Sequence, residues 1–147
     1  MKTTGQRTIE YKKPPIDEIA KNPPSEIQWL QMSERFDIIS RREDNWDGYE
    51  SGKPKKRSLD HSRKFMDEFL DVVISEGYSW LPPLISSDED GHITVEWYAE
   101  ERQLHFQIEE DDVLYIQAWG PNIDTEMHVD TLYPKDYLTL WAWLLYG

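Results

Sequence analysis

The chain has 147 residues, no cysteine and a net charge of −13, with 31% charged and 13% aromatic residues. That length suits one domain of roughly 100–150 residues with an adequate core. The missing cysteines exclude disulfides, thiolate nucleophiles and Cys-bound zinc. The aromatic content excludes a disordered chain, and the acidic balance opposes direct binding to nucleic acid or anionic membrane while favouring basic surfaces.

The first residues, Met1-Lys-Thr-Thr-Gly-Gln-Arg7, lack the apolar run of a secretory signal. No apolar stretch approaches the roughly 18 residues of a spanning helix. A cytoplasmic protein is the expectation. Residues 1–24 read as a Pro-rich arm, because Lys12-Lys-Pro-Pro15 and Asn22-Pro-Pro24 fix φ and remove donors. Residues 25–147 read as a single α+β domain.

Ser25 with Gln28 forms a capping-box pattern, and Trp29, Met32, Phe36 and Ile39 then recur at helical spacing, widened by Leu30 and Ile38. A first helix is expected over Ser25–Arg42. Glu43–Pro54 is a turn-rich connection in which Gly48 and Gly52 supply positive φ and Asn45 and Asp47 make side-chain turns. Aligned on Gly48 this loop matches the early positions of a calcium-binding EF-hand. Pro54 stands where the bidentate glutamate belongs, and lysines crowd it. The simpler reading is a connection that docks Trp46 and Tyr49 on the core.

Leu59, Ser62, Met66, Phe69 and Val73 place a second helix over Ser58–Glu76, with Gly77 just past its end. Tyr78–Pro83 crosses to the sheet as an apolar strap. Three strands follow, His92–Tyr98, Gln103–Ile108 and Val113–Trp119, each with period-two or amphipathic patterning and acidic gaps between them. Glu126–Leu132 is a candidate fourth. Pro134 suits the first position of a last helix, Pro134–Tyr146, which is apolar almost all round and so belongs in a core or against a partner. The fold class expected is a three- to four-stranded antiparallel meander packed by two N-terminal helices and a hydrophobic C-terminal helix. Its core would contain Trp29, Phe36, Phe69, Trp97, Phe106, Ile116 and Leu138.

Asn45-Trp-Asp-Gly-Tyr49, Lys53-Pro54, Leu81-Pro-Pro83, Gly91 and Val95-Glu-Trp97 together resemble a pattern in small uncharacterised bacterial and phage proteins. There a "WDGYG…P" segment precedes a helix and a "G…LEW" strand opens a meander. The resemblance spans residues 43–119 and departs at Glu50, where that pattern tends to have glycine. It implies a bacterial or phage setting and the same helix-then-meander order. It brings no activity and no functional residues.

A two-residue turn at Glu100-Glu101 pairs Trp97 with Leu104, Val95 with Phe106 and Ile93 with Ile108 on one apolar face. The other face then carries Glu96, Tyr98 and His105. A three-residue turn at Glu110–Asp112 would put Leu114, Ile116 and Ala118 inward and add Tyr115, Gln117 and Trp119 to the outer face. His128 and Asp130 extend it if the fourth strand pairs alongside.

The plain reading of that face is a solvated surface with cross-strand pairs such as Glu96–His105. A sharper one is a partner-binding surface of Glu96, Tyr98, His105, Tyr115, Gln117, Trp119, His128 and Asp130, since interfaces favour Tyr and Trp. A hydrolase or ligand-binding domain using Glu96, His105 and His128 is the alternative. No spacing forces those histidines together, and no phosphate loop, nucleophile elbow or HExxH is present. No catalytic residue, cofactor or metal is assigned. The expected function is a non-enzymatic acidic module that binds and masks a basic protein partner, of the antitoxin, immunity or phage anti-defence type. Nucleic-acid mimicry is one version, since spaced carboxylates can imitate phosphates. A homodimer through Trp141, Trp143 and Leu144 is a third reading.

Overall fold

In the computed structural model, residues 24–122 and 124–147 are described. The arm expected before Pro24 therefore lies outside the described residues. Helix α1 spans Pro24–Ser40 and α2 spans Lys56–Ser75. Five strands follow: β1 Leu84–Ser87, β2 Ile93–Ala99, β3 Arg102–Ile108, β4 Val113–Ala118 and β5 Met127–Thr131. A 3₁₀ turn at Pro134–Asp136 leads into α3, Tyr137–Tyr146. The sheet is an antiparallel meander in the order β1-β2-β3-β4-β5. The α+β class holds, with five strands where three or four were expected. The extra one is β1, which continues the apolar strap past Pro83.

The β2–β3 register is the expected one, with Ile93 opposite Ile108, Val95 opposite Phe106 and Trp97 opposite Leu104. All six are buried. The β3–β4 connection differs. Ile108 pairs with Val113, and the Glu109 N–H donates to the Asp112 carbonyl at 2.9 Å, so the loop holds four residues and not three. One extra loop residue inverts every side chain that follows. Val113 and Tyr115 thus face the core, while Leu114, Ile116 and Ala118 share the outer face with His105 and Gln103. The expected core role of Ile116 fails for this reason. Trp29 and Leu138 are only partly buried as well.

Phe69 is the centre of the core. Its ring lies 5.2 Å from Phe106 of β3, 5.8 Å from Trp97 of β2, 5.3 Å from Tyr137 and 5.7 Å from Trp141 of α3. Trp80 of the strap stacks on Trp141 at 5.1 Å. Two indole N–H groups are satisfied by strap carbonyls, Trp97 to Leu81 at 2.8 Å and Trp141 to Ser79 at 3.0 Å. The nearly all-apolar α3 is accounted for by this core: Trp141, Leu144 and Leu145 are fully buried within one chain. A dimer through Trp141 and Leu144 would have to pull both out of it. Only Trp143 of that trio keeps surface.

The Asn45–Lys55 loop and the turn at Gly91 meet at one seam. The Gly52 N–H donates to the Glu89 carbonyl at 2.8 Å, and the Lys55 N–H to the Gly91 carbonyl at 2.9 Å. A Cβ on Gly91, at φ +84°, would lie 2.6 Å from the Lys53 carbonyl oxygen. Within the loop, Asp47 accepts from the Tyr49 N–H at 2.9 Å and from the Ser51 hydroxyl at 2.5 Å. Those bonds, the Ser51 one foremost, hold its carboxyl below the ordinary carboxylate range. Trp46 donates to the Gly52 carbonyl and lies under the Arg42 guanidinium at 3.8 Å. Tyr49 does not dock as expected; it is 86% exposed. Glu50 sits at φ +64°, a left-handed conformation, which is the physical reason a glycine suits that position.

Two substitutions should therefore act with opposite sign in chemical denaturation. Gly91→Ala should destabilise by more than about 1 kcal/mol, and Glu50→Gly should stabilise by roughly 0.5–1 kcal/mol after the glycine's unfolded-state entropy is subtracted from the strain relieved. Equal midpoints for all three proteins would contradict this account of the seam.

Candidate functional site

The helices and the strap pack on the sheet face that carries Ile93, Val95, Trp97, Leu104, Phe106 and Ile108. The opposite face carries no helix among the described residues. Its residues follow from the register: Leu84 and Ser86 from β1, Thr94, Glu96 and Tyr98 from β2, Gln103, His105 and Gln107 from β3, Leu114, Ile116 and Ala118 from β4, and Met127, Val129 and Thr131 from β5. The face is therefore split. Strands β2 and β3 present a polar half, and β4 with β5 an apolar half.

On the polar half the Tyr98 hydroxyl donates to Glu96 Oε1 at 2.8 Å, and the Tyr98 ring meets His105 edge-on at 5.5 Å. Hydrogen bonding to Glu96, then burial, raises the Tyr98 pKa. His105 Nε2 is buried with no hydrogen-bond partner among the described residues. Burial lowers the His105 pKa from 6.5, partly opposed by the Glu96 carboxylate. At neutral pH this is an uncharged imidazole on a rigid strand. It is a poor electrostatic anchor for an acidic partner and a good apolar contact.

On the apolar half Leu114 and Ile116 are half-buried, while Met127 and Val129 are 40% and 47% exposed. Acidic turns border the sheet at both ends: Asp88-Glu89-Asp90 and Glu109–Asp112 at one, Glu100-Glu101 at the other. Part of the Glu109–Asp112 charge is offset by α2, through Arg57 to Asp111 at 2.6 Å and Lys55 to Glu110 at 3.6 Å.

Of the eight residues expected to form one surface, the structure brings Glu96, Tyr98 and His105 together. Tyr115, Gln117, His128 and Asp130 lie on the helix-bearing side, along the stretch next to β5. There Tyr115 and His128 are 5.7 Å apart and His128 Nε2 is 4.0 Å from Asp130. Burial, Asp130 and Asp136 raise the Tyr115 pKa. Trp119 follows β4 and is 40% exposed. Pattern reasoning missed Leu114, Ile116, Met127 and Val129. Their signal was present as apolar residues in both parities of β4, which a period-two argument cannot resolve.

Two other places were not legible in the sequence. An open cleft of about 380 Å³ lies between α2, the β3–β4 turn and the segment entering α3, lined by His61, Lys64, Glu68, Asp112, Tyr133 and Tyr137 among others. Within it, His61 Nδ1 is 2.7 Å from the Glu109 carbonyl, and the Tyr137 hydroxyl donates to Glu68 at 3.2 Å. Burial, reinforced by Glu68, pushes the Tyr137 pKa up to about 12, so this phenol keeps its proton at neutral pH. At the β1–β2 turn, Asp88, Asp90 and His92 each bring a ligand atom within 4.8 Å of the others. Asp88 Oδ1 there accepts the Asp90 and His92 N–H groups at 2.9 Å, the bonds of an Asx turn.

Compared with known proteins, the chain matches no family model, no curated protein sequence and no solved structure. No helix among the described residues is long and apolar enough to cross a membrane.

The His105 environment gives a measurable titration. Its imidazole should titrate by NMR with a midpoint below 6.5, and Glu96→Gln should lower that midpoint further by removing the opposing attraction. Because the folded state binds this proton more weakly than the unfolded one, stability should fall as the pH drops from 6.5 through the folded midpoint. His105→Gln should flatten that part of the pH profile, and a midpoint at or above 6.5 would refute the assignment.

Proposed function

We propose that the protein is a non-enzymatic acidic binding module whose helix-free sheet face docks and masks a protein partner with a basic surface. The observation that carries this reading is the apolar half of that face. Leu114, Ile116, Met127 and Val129 form a stripe on a rigid sheet, with polar side chains beside it and acidic turns around it. An apolar centre with a polar rim is the anatomy of a protein interface. Tyr98 supplies a ring that is 51% exposed.

The charge favours a basic partner. Beyond Phe65 the chain has only Arg102 and Lys135 as basic residues against a long series of acids, so encounter with a cationic surface is accelerated and encounter with nucleic acid is opposed. Inhibitors of the antitoxin, immunity or anti-defence kind work in this manner. The cleft at Tyr137 favours a second reading, a small-ligand-binding domain, since its volume falls within the usual range of about 300–1,000 Å³.

The first reading is tested by affinity capture from the native cell with wild type and with Ile116→Glu, a change on the docking face at a half-buried position. The expected result is a basic protein retained by wild type, released by raised salt, and lost with Ile116→Glu while the variant keeps its native circular dichroism. Retention that ignores both salt and the substitution would sink the proposal. Small-molecule binding lost on Glu68→Gln and indifferent to Ile116→Glu would favour the cleft instead.

A further inference from the structure

The two edges of the sheet are treated differently. Strand β1 is covered by α1: Arg35 Nε donates to the Ile85 carbonyl at 2.8 Å, and Arg42 reaches the Ser86 and Ser87 hydroxyls at 3.1 and 2.9 Å. Strand β5 has β4 on one side and, among the described residues, no strand on the other. Natural sheets protect such an edge with charged side chains, proline, a bulge or a covering element. Glu126–Leu132 contains no lysine, arginine or proline and the β4–β5 pairing runs without a bulge, so its guard is the carboxylates of Glu126 and Asp130, which a histidine brought opposite can answer.

The hydrogen-bond phase of β5 shows which groups the edge offers. The Leu132 N–H donates to the Val113 carbonyl and the Trp119 N–H to the Glu126 carbonyl. In an antiparallel ladder bonded pairs alternate, so even-numbered residues of β5 bond to β4. Met127, Val129 and Thr131 then turn their N–H and C=O groups to the open side. The Thr131 N–H is engaged by Asp130 Oδ1 of its own strand, at 2.7 Å.

We infer that β5 is the docking edge for a second copy of this chain, paired antiparallel about a two-fold axis at Val129. Charge selects that register. Centred on Val129, His128 of each copy faces Asp130 of the other, in the non-bonded pairs where side chains approach most closely. Centred on His128, the two histidines oppose each other and Asp130 faces Glu126. Centred on Asp130, two aspartates oppose. Centred on Met127, His128 faces Glu126, but Asp130 faces Asp124. Like charges directly opposite destabilise a sheet, whereas an imidazole N–H facing a carboxylate can donate to it.

The Val129 register also pairs Val129 with Val129 and Met127 with Thr131, so each outward backbone group finds a partner. The Asp130 carboxylate exchanges its own Thr131 N–H for the facing histidine. A two-fold contact of this kind is self-complementary and closed. It would join two five-stranded sheets into one and bring the apolar stripes of both copies side by side. Net charge of −13 on each copy opposes the contact at low ionic strength, so added salt should tighten it, whereas salt should weaken a complex with a basic partner.

Sedimentation equilibrium on the full chain at low and high salt tests this. The expected result is a reversible species of twice the 17.5 kDa chain mass, favoured by salt. His128→Asp should weaken dimerisation about tenfold or more by setting aspartates against each other. The exchange His128→Asp with Asp130→His should restore it. Val129→Pro removes only an outward N–H, which an edge strand tolerates, and should give a folded monomer. A monomer at every salt and protein concentration would overturn the inference, as would a dimer indifferent to all three variants.

Discussion

The ring contacts of Phe69 hold this molecule together. One side chain from α2 meets β2, β3 and the first half of α3, while the strap brings Trp80 against both Trp141 of α3 and Trp97 of the sheet. Edge-to-face pairs each contribute about 0.5–1.5 kcal/mol beyond area burial, and six rings share this centre with it. The arrangement explains why so apolar a terminal helix is compatible with a monomeric core. It also accounts for α2, the strap and α3 sharing one face of the sheet, while among the described residues the other carries no helix.

That asymmetry decides where function can sit. A sheet with one covered face has a second face whose composition is unconstrained by the core, and here it divides into a polar half around Glu96, Tyr98 and His105 and an apolar half around Ile116 and Val129. The acidic turns at the sheet ends place negative charge around a flat surface and not within a deep one. This arrangement is what supports the docking proposed for that face. The cleft at Tyr137 is a concave polar site, and its phenol is held protonated.

The turn motifs around Trp46, Pro54 and Gly91 serve the backbone. Asp47 ties the loop to itself, Gly52 and Lys55 tie it to the β1–β2 turn, and Gly91 leaves room for the Lys53 carbonyl. They say nothing of a ligand. Glu50, at a left-handed position, shows the chain tolerating strain at the same seam.

Local patterning was enough for the order of the three helices and of β2 to β5, for the α+β class and for the β2–β3 register, but not for β1. Those follow from local rules: helical spacing of Met32, Phe36 and Ile39, strict alternation from Ile93 to Ile108, and a turn too short to slip. It could not decide the orientation of β4. Val113 and Tyr115 fall in one parity and Leu114, Ile116 and Ala118 in the other, so either set can make a core, and a loop longer by one residue exchanges them. Only the packing of Tyr115 toward the helix side settled which apolar residues were hidden and which became the bare stripe. Edge protection was likewise invisible in the chain. The arginines that cover β1 lie more than 40 residues away from the strand they cap, and no local pattern announces that β5 has no such partner.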